Sequence, residues 1–213
     1  MTKNIISVFD VKLFHLLTVL LAILFTQDLF AQKAFRLVKA TFIIPVTYSD
    51  GDSEDDYYKI EDSKRKPSGY ALGIVLKNGF GIGLSSSKHI TEQTTTFKTY
   101  FNYVSGTEET VNLDFWDLSY TFGESVPFTI GIGILRSGDA EVEYSNPACS
   151  QFSRTSSAVS GGSYFMDLGI PVGDPYKVIL GYRYTYANLN FSNVSGDYPR
   201  WYRDFSLGAS YSF

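Results

Sequence analysis

His89 is the residue whose type and surroundings point most directly to chemistry. The only other histidine is His15, and His89 lies in the stretch Ser87-Lys88-His89-Ile90-Thr91-Glu92. A histidine near a hydroxyl and a carboxylate could act as the base of a hydrolytic group. On a strand, however, His89 and Thr91 would share one face and Glu92 would lie on the other. The sequence therefore favours a structural polar role for His89, with hydrolysis as an alternative.

Five charged residues stand at strand-spaced positions whose neighbours on the same face are small or polar. If these strands enclose an interior, the five charges face it, and a charge in such an interior is costly unless it is paired. We therefore expect the five residues to form salt bridges that fill the enclosed space. The alternative is a narrow gated pore lined by the same groups. The residues are Lys39, Asp117, Asp167, Arg183 and Asp204.

The acidic stretch Asp50 to Asp56, with Glu61, places carboxylates at positions 1, 3, 5, 7 and 12 of a calcium-type loop. The glycine required at position 6 is replaced by Asp55, and no flanking helices are expected. We therefore predict a solvated acidic loop with at most loose binding of divalent cations, and no metal site or cofactor. The basic run 64–66 follows it and could contact phosphate groups.

The elements that position these residues are β-strands. Large apolar and small or polar side chains alternate from residue 34 onward, the spacing of strands. In the last strand Phe205, Leu207 and Tyr211 share one face with Ala209 and Phe213, opposite Ser206, Gly208 and Ser210. Eight such strands are predicted. Four are at about 35–48, 68–77, 164–172 and 178–186. Of the other four, the third begins at 80, the fourth ends at 122, the fifth begins at 128 and the eighth is at the C-terminus.

The connections alternate in length. Short turns are predicted at Asn78-Gly79, 123–126 and 173–175, and long polar loops at about 49–66, 88–110, 137–161 and 191–200. Alternation continues in 94–104 and 111–115, so the third and fourth strands could project beyond the rest. The apolar face changes phase near Phe115-Trp116, which predicts a bulge.

Residues 1–31 read as a signal peptide. Lys3 and Lys12 precede the apolar run 13–25, and Leu29-Phe30-Ala31 is a plausible cleavage site, so the mature domain is expected to be 32–213. A single membrane anchor is the less favoured interpretation, because the run is short and interrupted. The mature chain has one cysteine, Cys149, so it cannot contain an intramolecular disulfide.

The composition excludes several classes of protein. With 44% hydrophobic and 19% charged residues and a net charge of -4, the chain is neither disordered nor a nucleic-acid binder. A mean hydropathy of -0.04 excludes a polytopic helical membrane protein. The large side chains occupy one strand face, and the other carries residues too small to fill a dry core. This pattern predicts an all-β, eight-stranded antiparallel up-and-down transmembrane β-barrel with its apolar face outward.

The signal peptide, the eight strands and the ending Phe205-Ser206-Leu207-Gly208-Ala209-Ser210-Tyr211-Ser212-Phe213 resemble the small OmpA/OmpX-like outer-membrane barrels of Gram-negative bacteria. The resemblance implies a bacterial outer-membrane location and outer-membrane lipids and lipopolysaccharide as partners. We also expect a monomer. It also implies that the assembly machinery reads an ending formed by Phe205, Leu207, Tyr211 and Phe213.

Three functions stay open at this level. The favoured one is a non-enzymatic barrel, without catalytic residues, whose exposed loops serve surface interaction or envelope integrity. The second is a small channel for ions or apolar solutes. The third, suggested by the lipid A-modifying enzymes among eight-stranded outer-membrane barrels, is a hydrolase that uses His89.

Overall fold

The computed structural model describes residues 34–50, 53–54, 58–97, 103–146, 149–156, 158–191 and 198–213. The expected signal peptide, 1–31, lies outside these ranges. Among the described residues, no helix is long and apolar enough to cross a membrane.

The described residues form one antiparallel sheet of eleven strands. Eight of them are long and three are short. They are β1 (Phe35–Ile43), β2 (Tyr48–Asp50), β3 (Ser53–Glu54), β4 (Tyr58–Leu76), β5 (Phe80–Phe97), β6 (Tyr103–Phe122), β7 (Phe128–Asn146), β8 (Cys149–Ser156), β9 (Ala158–Gly173), β10 (Tyr176–Asn190) and β11 (Tyr198–Ser212).

The eight long strands close into a barrel. Each pairs with the next in chain order, and β1 pairs with β11 on one side and β4 on the other. The short strands β2 and β3 add to β4, and β8 adds to β7. The predicted eight-stranded antiparallel up-and-down barrel is therefore confirmed.

Tight turns join the long strands at one end of the barrel. At 77–79 the amide of Gly79 donates to the carbonyl of Leu76 at 2.9 Å, and the amide of Phe80 donates to Asn78 Oδ1 at 3.1 Å. Gly79 has a φ of 92°, which favours glycine. The other connections between the long strands lie at the opposite end, which is the extracellular end in barrels of this type.

Most of the residues predicted as long loops are strand instead. β4 begins at Tyr58, β5 continues to Phe97, β6 begins at Tyr103 and β7 continues to Asn146. A membrane strand needs roughly 9 to 11 residues, so these four extend well beyond a bilayer. The sheet continues above the membrane because its backbone hydrogen bonds are satisfied by neighbouring strands rather than by water.

The first strand is shorter than predicted. β1 ends at Ile43 instead of continuing to Tyr48, and Pro45 lies two residues further on. Proline has no amide hydrogen to donate to a ladder. The last bond to β11 is donated by the amide of Ile44 to the carbonyl of Phe205 at 2.8 Å. Beyond Ile44, in the direction away from the tight turns, β1 no longer lies between β11 and β4.

A belt of exposed apolar side chains surrounds the barrel near its tight turns. Their exposure is extensive, as for Phe80 at 59%, Ile82 at 56% and Ile134 at 52%. This apolar belt includes Phe42, Tyr70, Phe80, Ile82, Leu84, Trp116, Leu118, Tyr120, Phe122, Phe128, Ile130, Ile132, Ile134, Tyr164, Met166, Leu168, Ile170, Tyr176, Leu180, Phe205 and Leu207. A closed barrel with such a belt is suited to hydrocarbon, where no free sheet edge is tolerated.

The predicted bulge lies on a different strand. Alternate residues of β6 from Val111 to Thr121 stay buried or half-buried without interruption, so β6 does not change phase. The register shift occurs opposite Asp114 and Phe115, where β7 contains the additional residue Arg136. The apparent phase change at Phe115-Trp116 is instead a change of environment, because the apolar residues face lipid below this point and the barrel interior above it.

Candidate functional site

Two ion pairs fill the interior at the level of the apolar belt. Lys39 on β1 donates to Asp167 on β9, and both side chains are buried. Arg183 on β10 donates to both oxygens of Asp117 on β6, at 3.1 and 2.6 Å, and to Ser163 at 2.9 Å. A bidentate pair of this kind satisfies two buried charges together.

An aromatic ring separates the two pairs. The Phe165 centroid lies 5.3 Å from Lys39 Nζ and 4.7 Å from Arg183 Cζ, within the range of cation–π contacts. The cavity remaining around these groups measures about 40 Å³, room for about one water. The belt-level interior is therefore filled by side chains rather than open.

Above the belt the interior becomes apolar. A distal cluster of buried side chains comes from β6, β7, β10, β11 and the residue after β10, and consists of Val111, Leu113, Phe115, Ala140, Val142, Ala187, Leu189, Phe191 and Tyr202. Leu113 is 1% exposed, and Val111 and Leu189 are fully buried. Sequence reasoning missed this core by treating the inward face as small and polar throughout. Its signal was the alternation of Val111, Leu113 and Phe115 with polar residues.

An ion pair lies beside the distal cluster. Arg200 Nε donates to Glu109 at 2.8 Å, and Arg200 Nη2 donates to the other carboxylate oxygen at 2.6 Å. These hydrogen bonds raise the pKa of Arg200 above its ordinary value. The pair links β11 to β6 across the barrel, so it holds together strands that are not neighbours in the sheet.

Asp204 is the one predicted interior charge without an ion pair to the other four. It is 2% exposed, and neither carboxylate oxygen accepts a hydrogen bond from the described residues. Arg183 stands opposite it in the β10–β11 register, but the Arg183 guanidinium donates to Asp117 and Ser163. Asp204 therefore keeps unused acceptor capacity in the interior.

His89 lies beside Asp204, not beside Glu92. The imidazole Nε2 is 3.6 Å from Asp204 Oδ2, beyond hydrogen-bond distance, and the ring stacks on Tyr202 with centroids 3.8 Å apart. Glu92 pairs with Lys66 on the other face of the sheet. Ser87 is buried on the same face as His89. A contiguous hydroxyl–histidine–Glu92 group is therefore not formed, and the neighbouring carboxylate comes from a strand distant in sequence.

A cleft enters the barrel wall at His89. It measures about 340 Å³ and lies between β4 and β11, where β1 has ended. We call it the wall cleft, and it is lined by Arg65, Pro67, His89, Trp201, Tyr202, Arg203 and Asp204. Arg65 Nη1 reaches across it to the carbonyl of Trp201 at 3.3 Å.

The other predicted ligand groups are only partly described. Of the acidic stretch 50–56, the structure describes the backbone at Asp50 and at 53–54, and the rest lies outside the described residues. Within the described part of the chain, no three His, Cys, Asp or Glu side chains are grouped to hold a metal ion. The backbone of Cys149 begins β8. In the basic run, Lys66 faces outward and Arg65 lines the wall cleft.

The C-terminal residues predicted as an assembly signal extend along β11 from the apolar belt to the tight-turn end. Phe205 and Leu207 are each 48% exposed and belong to the apolar belt. Tyr211 packs edge-on against Tyr176 and Phe213, with centroids 5.6 and 5.2 Å apart. The amide of Phe213 donates to the carbonyl of Arg36 at 3.1 Å, close to the β1–β11 closure. Recognition of these residues during assembly stays a prediction.

Beyond the apolar belt, the outer face of the sheet is acidic on β6 and β7. Glu108 and Glu143 are opposite one another in the register, and Asp139 and Glu141 are exposed on the same strand as Glu143. Glu92 stands on the other side of Glu108. A groove of about 450 Å³ lies among Glu92, Glu108 and Glu143 at the distal end of the sheet. Glu92 is paired with Lys66, so the negative surface at this end is formed by the carboxylates of β6 and β7.

The closed ring, the apolar belt and the filled interior define the chain as a small β-barrel of the outer-membrane type. No protein-family model matches the sequence, and no curated protein matches it. Solved structures are similar to it in fold at low sequence identity.

Three of these structures illustrate the likeness. Ail, the attachment invasion locus protein of Yersinia pestis, is 16% identical, with 84% of this chain and 97% of that chain covered and a TM-score of 0.38. The outer membrane protein OprG from Pseudomonas aeruginosa is 11% identical, with 87% and 99% covered and a TM-score of 0.42. The outer membrane protease OmpT from Escherichia coli is 8% identical, with 84% and 94% covered and a TM-score of 0.49. All three are proteins of bacterial outer membranes, the location that the sequence predicts for this chain.

Proposed function

We propose that the protein is a non-conducting outer-membrane barrel that displays a rigid β-sheet at the bacterial surface for interaction with extracellular partners. The display surface is the part of β4 to β8 that extends beyond the apolar belt. It differs from a set of loops because its strands are paired in one sheet, and because β6 and β7 share a core with β10 and β11. Recognition then depends on outward side chains whose positions are set by the sheet.

The distal cluster is the observation that carries this proposal. Leu113, Val142 and Leu189 are buried inside the barrel above the level at which the outer surface becomes polar. Burying such side chains stabilises the sheet outside the membrane by about 1.5–3 kcal/mol for each large one. The same packing obstructs the interior, which supports display over conduction.

The acidic face of β6 and β7 indicates the chemistry of a partner. Glu108, Asp139, Glu141 and Glu143 would attract a basic protein surface and would accelerate its association at low salt. The outward Lys66, with Lys64 in the same basic run, would contact lipopolysaccharide phosphates nearer the membrane. We include outer-membrane lipids, the assembly machinery and a monomeric state in the proposal.

Cysteine labelling tests the display of this face. Glu143→Cys and Asp174→Cys would be made separately in a Cys149→Ser background and treated, in intact cells, with a maleimide that cannot cross the membrane. We expect labelling at position 143 in intact cells and at position 174, in a tight turn, only after lysis. Labelling at 174 alone in intact cells would reverse the proposed orientation.

Bilayer recording tests the filled interior. Protein purified from membranes, and shown to be folded by its change in gel mobility on boiling, would be inserted into a planar bilayer. We expect no discrete current steps from the wild type. Regular steps that change on Asp167→Asn would contradict the display proposal and favour the channel.

A further inference from the structure

The wall cleft has basic residues at its mouth and a carboxylate at its inner end, an arrangement that the display function does not use. Asp204, 2% exposed, and His89, 4% exposed, form its inner part. Arg203 and Trp201 are exposed at its mouth, and Arg65 spans it. A molecule entering from outside would therefore meet positive charge first and a carboxylate last.

Asp204 supplies an unsatisfied acceptor at the inner end. Both of its oxygens are buried without a hydrogen bond from the described residues, and His89 Nε2 is likewise buried without one. Buried polar groups in native proteins are nearly always satisfied, so such a pair facing a cleft calls for a partner that donates hydrogen bonds. A buried carboxylate that lines a cleft suits an ammonium group, which donates up to three hydrogen bonds and carries the opposite charge.

The mouth of the cleft suits an anion. The Arg65 and Arg203 side chains both line the mouth. Each guanidinium group can donate two parallel hydrogen bonds to two oxygens of one phosphate. Among the residues that the structure describes, Asp204 is the carboxylate that lines the cleft. The volume of about 340 Å³ falls in the range of about 300–1,000 Å³ found for small-molecule sites.

The position of the cleft relative to the belt indicates where such a ligand would come from. On β11 the outermost belt residue, Phe205, is followed outward by Arg203, and on β4 Tyr70 is followed by Ser68 and Lys66. The cleft therefore opens where polar headgroups meet the hydrocarbon layer.

We propose that the wall cleft binds a phosphoethanolamine group, with its ammonium at Asp204 and its phosphate at Arg65 and Arg203. The group could belong to a membrane lipid or be free in solution, since both present the same chemistry. Trp201 is a reporter within the site. Trp116, the other tryptophan, can be removed by Trp116→Phe.

The test is a titration of Trp201 fluorescence in the Trp116→Phe protein, purified from membranes and held in a detergent without phosphate or amine groups. O-Phosphoethanolamine is the soluble probe, with ethanolamine and inorganic phosphate as half-ligands. Vesicles of phosphatidylethanolamine, compared with phosphatidylglycerol, provide the lipid source. The variants are Asp204→Asn and, as the matched control, Asp174→Asn in a tight turn at the other end.

We expect saturable binding of O-phosphoethanolamine that is stronger than either half-ligand. Asp204→Asn should weaken it about tenfold or more, and Asp174→Asn should leave it unchanged. A response to vesicles alone would assign the lipid as the source. No saturable response to either source, or equal affinity in Asp204→Asn, would overturn the proposal.

Arg203→Gln keeps the proposal testable if Asp204→Asn does not fold, because Arg203 is exposed and its replacement leaves the interior intact. It should weaken binding of O-phosphoethanolamine and phosphate severalfold and leave binding of ethanolamine unchanged. Equal binding of phosphoethanolamine by Arg203→Gln and wild type would contradict the assigned orientation.

Discussion

Replacing Leu113 by Ala tests whether the part of the barrel beyond the apolar belt has a dry core. Leu113 is 1% exposed and lies in the distal cluster, on the stretch of β6 beyond the apolar belt. The change removes three buried carbons, worth about 2.4 kcal/mol at about 0.8 kcal/mol each. The cavity left behind adds to this cost, so we expect a total loss of about 3–5 kcal/mol in unfolding free energy.

The assay is urea unfolding of the barrel in lipid vesicles, followed by tryptophan fluorescence and checked by gel mobility. Thr110→Ala is the matched control, because Thr110 lies on the same strand but on its outer face, where the substitution should cost about 1 kcal/mol or less. The comparison separates loss of the core from a general effect of altering β6.

A water-filled interior predicts a different outcome. In that case Leu113→Ala would cost less than about 1 kcal/mol, since the side chain would contact water before and after unfolding. Such a result, with Thr110→Ala equally neutral, would refute the reasoning that the distal cluster supports the displayed sheet.

Four further outcomes follow from the same structure. Asp117→Asn should destabilise the barrel by about 3–5 kcal/mol in urea titrations, because Arg183 would stay buried without its carboxylate, whereas replacing both residues by apolar ones should cost less. Arg200→Lys should cost about 1 kcal/mol, since a lysine cannot reproduce the two bonds to Glu109. Because the pKa of Arg200 is raised, its contribution is fully present below its ordinary pKa and is lost only above it, so the cost of Arg200→Lys should be equal at about pH 7 and about pH 9. The amides of Leu113 and Val142 should exchange slowly with solvent although they lie beyond the belt, and rapid exchange at both would contradict a packed extension. His89→Ala should leave the lipid A composition of the cells unchanged, and an altered composition would favour the hydrolase instead.

The strand count and closure could be read from the sequence because both depend on local rules. Side chains on a strand alternate with a period of two, and Asn-Gly between two alternating segments favours a tight turn, as at Asn78-Gly79. The extent of the strands could not be read in the same way. In 88–110 the polar residues indicated a loop, whereas pairing between β5 and β6 keeps most of the segment in strands.

The sequence by itself determined which residues alternate, how many strands close the barrel and that its interior charges need partners. Only the tertiary structure decided which partners those are, because Lys39 and Asp167 meet across the barrel and Asp204 lies beside His89 rather than with the other charges. It also decided which face of β6 is buried at each height. The physical reason is that an apolar side chain leaves water for whatever apolar surroundings are available. Trp116, on the outer face, lies in the apolar belt that faces lipid, and Phe115 is buried inside the barrel.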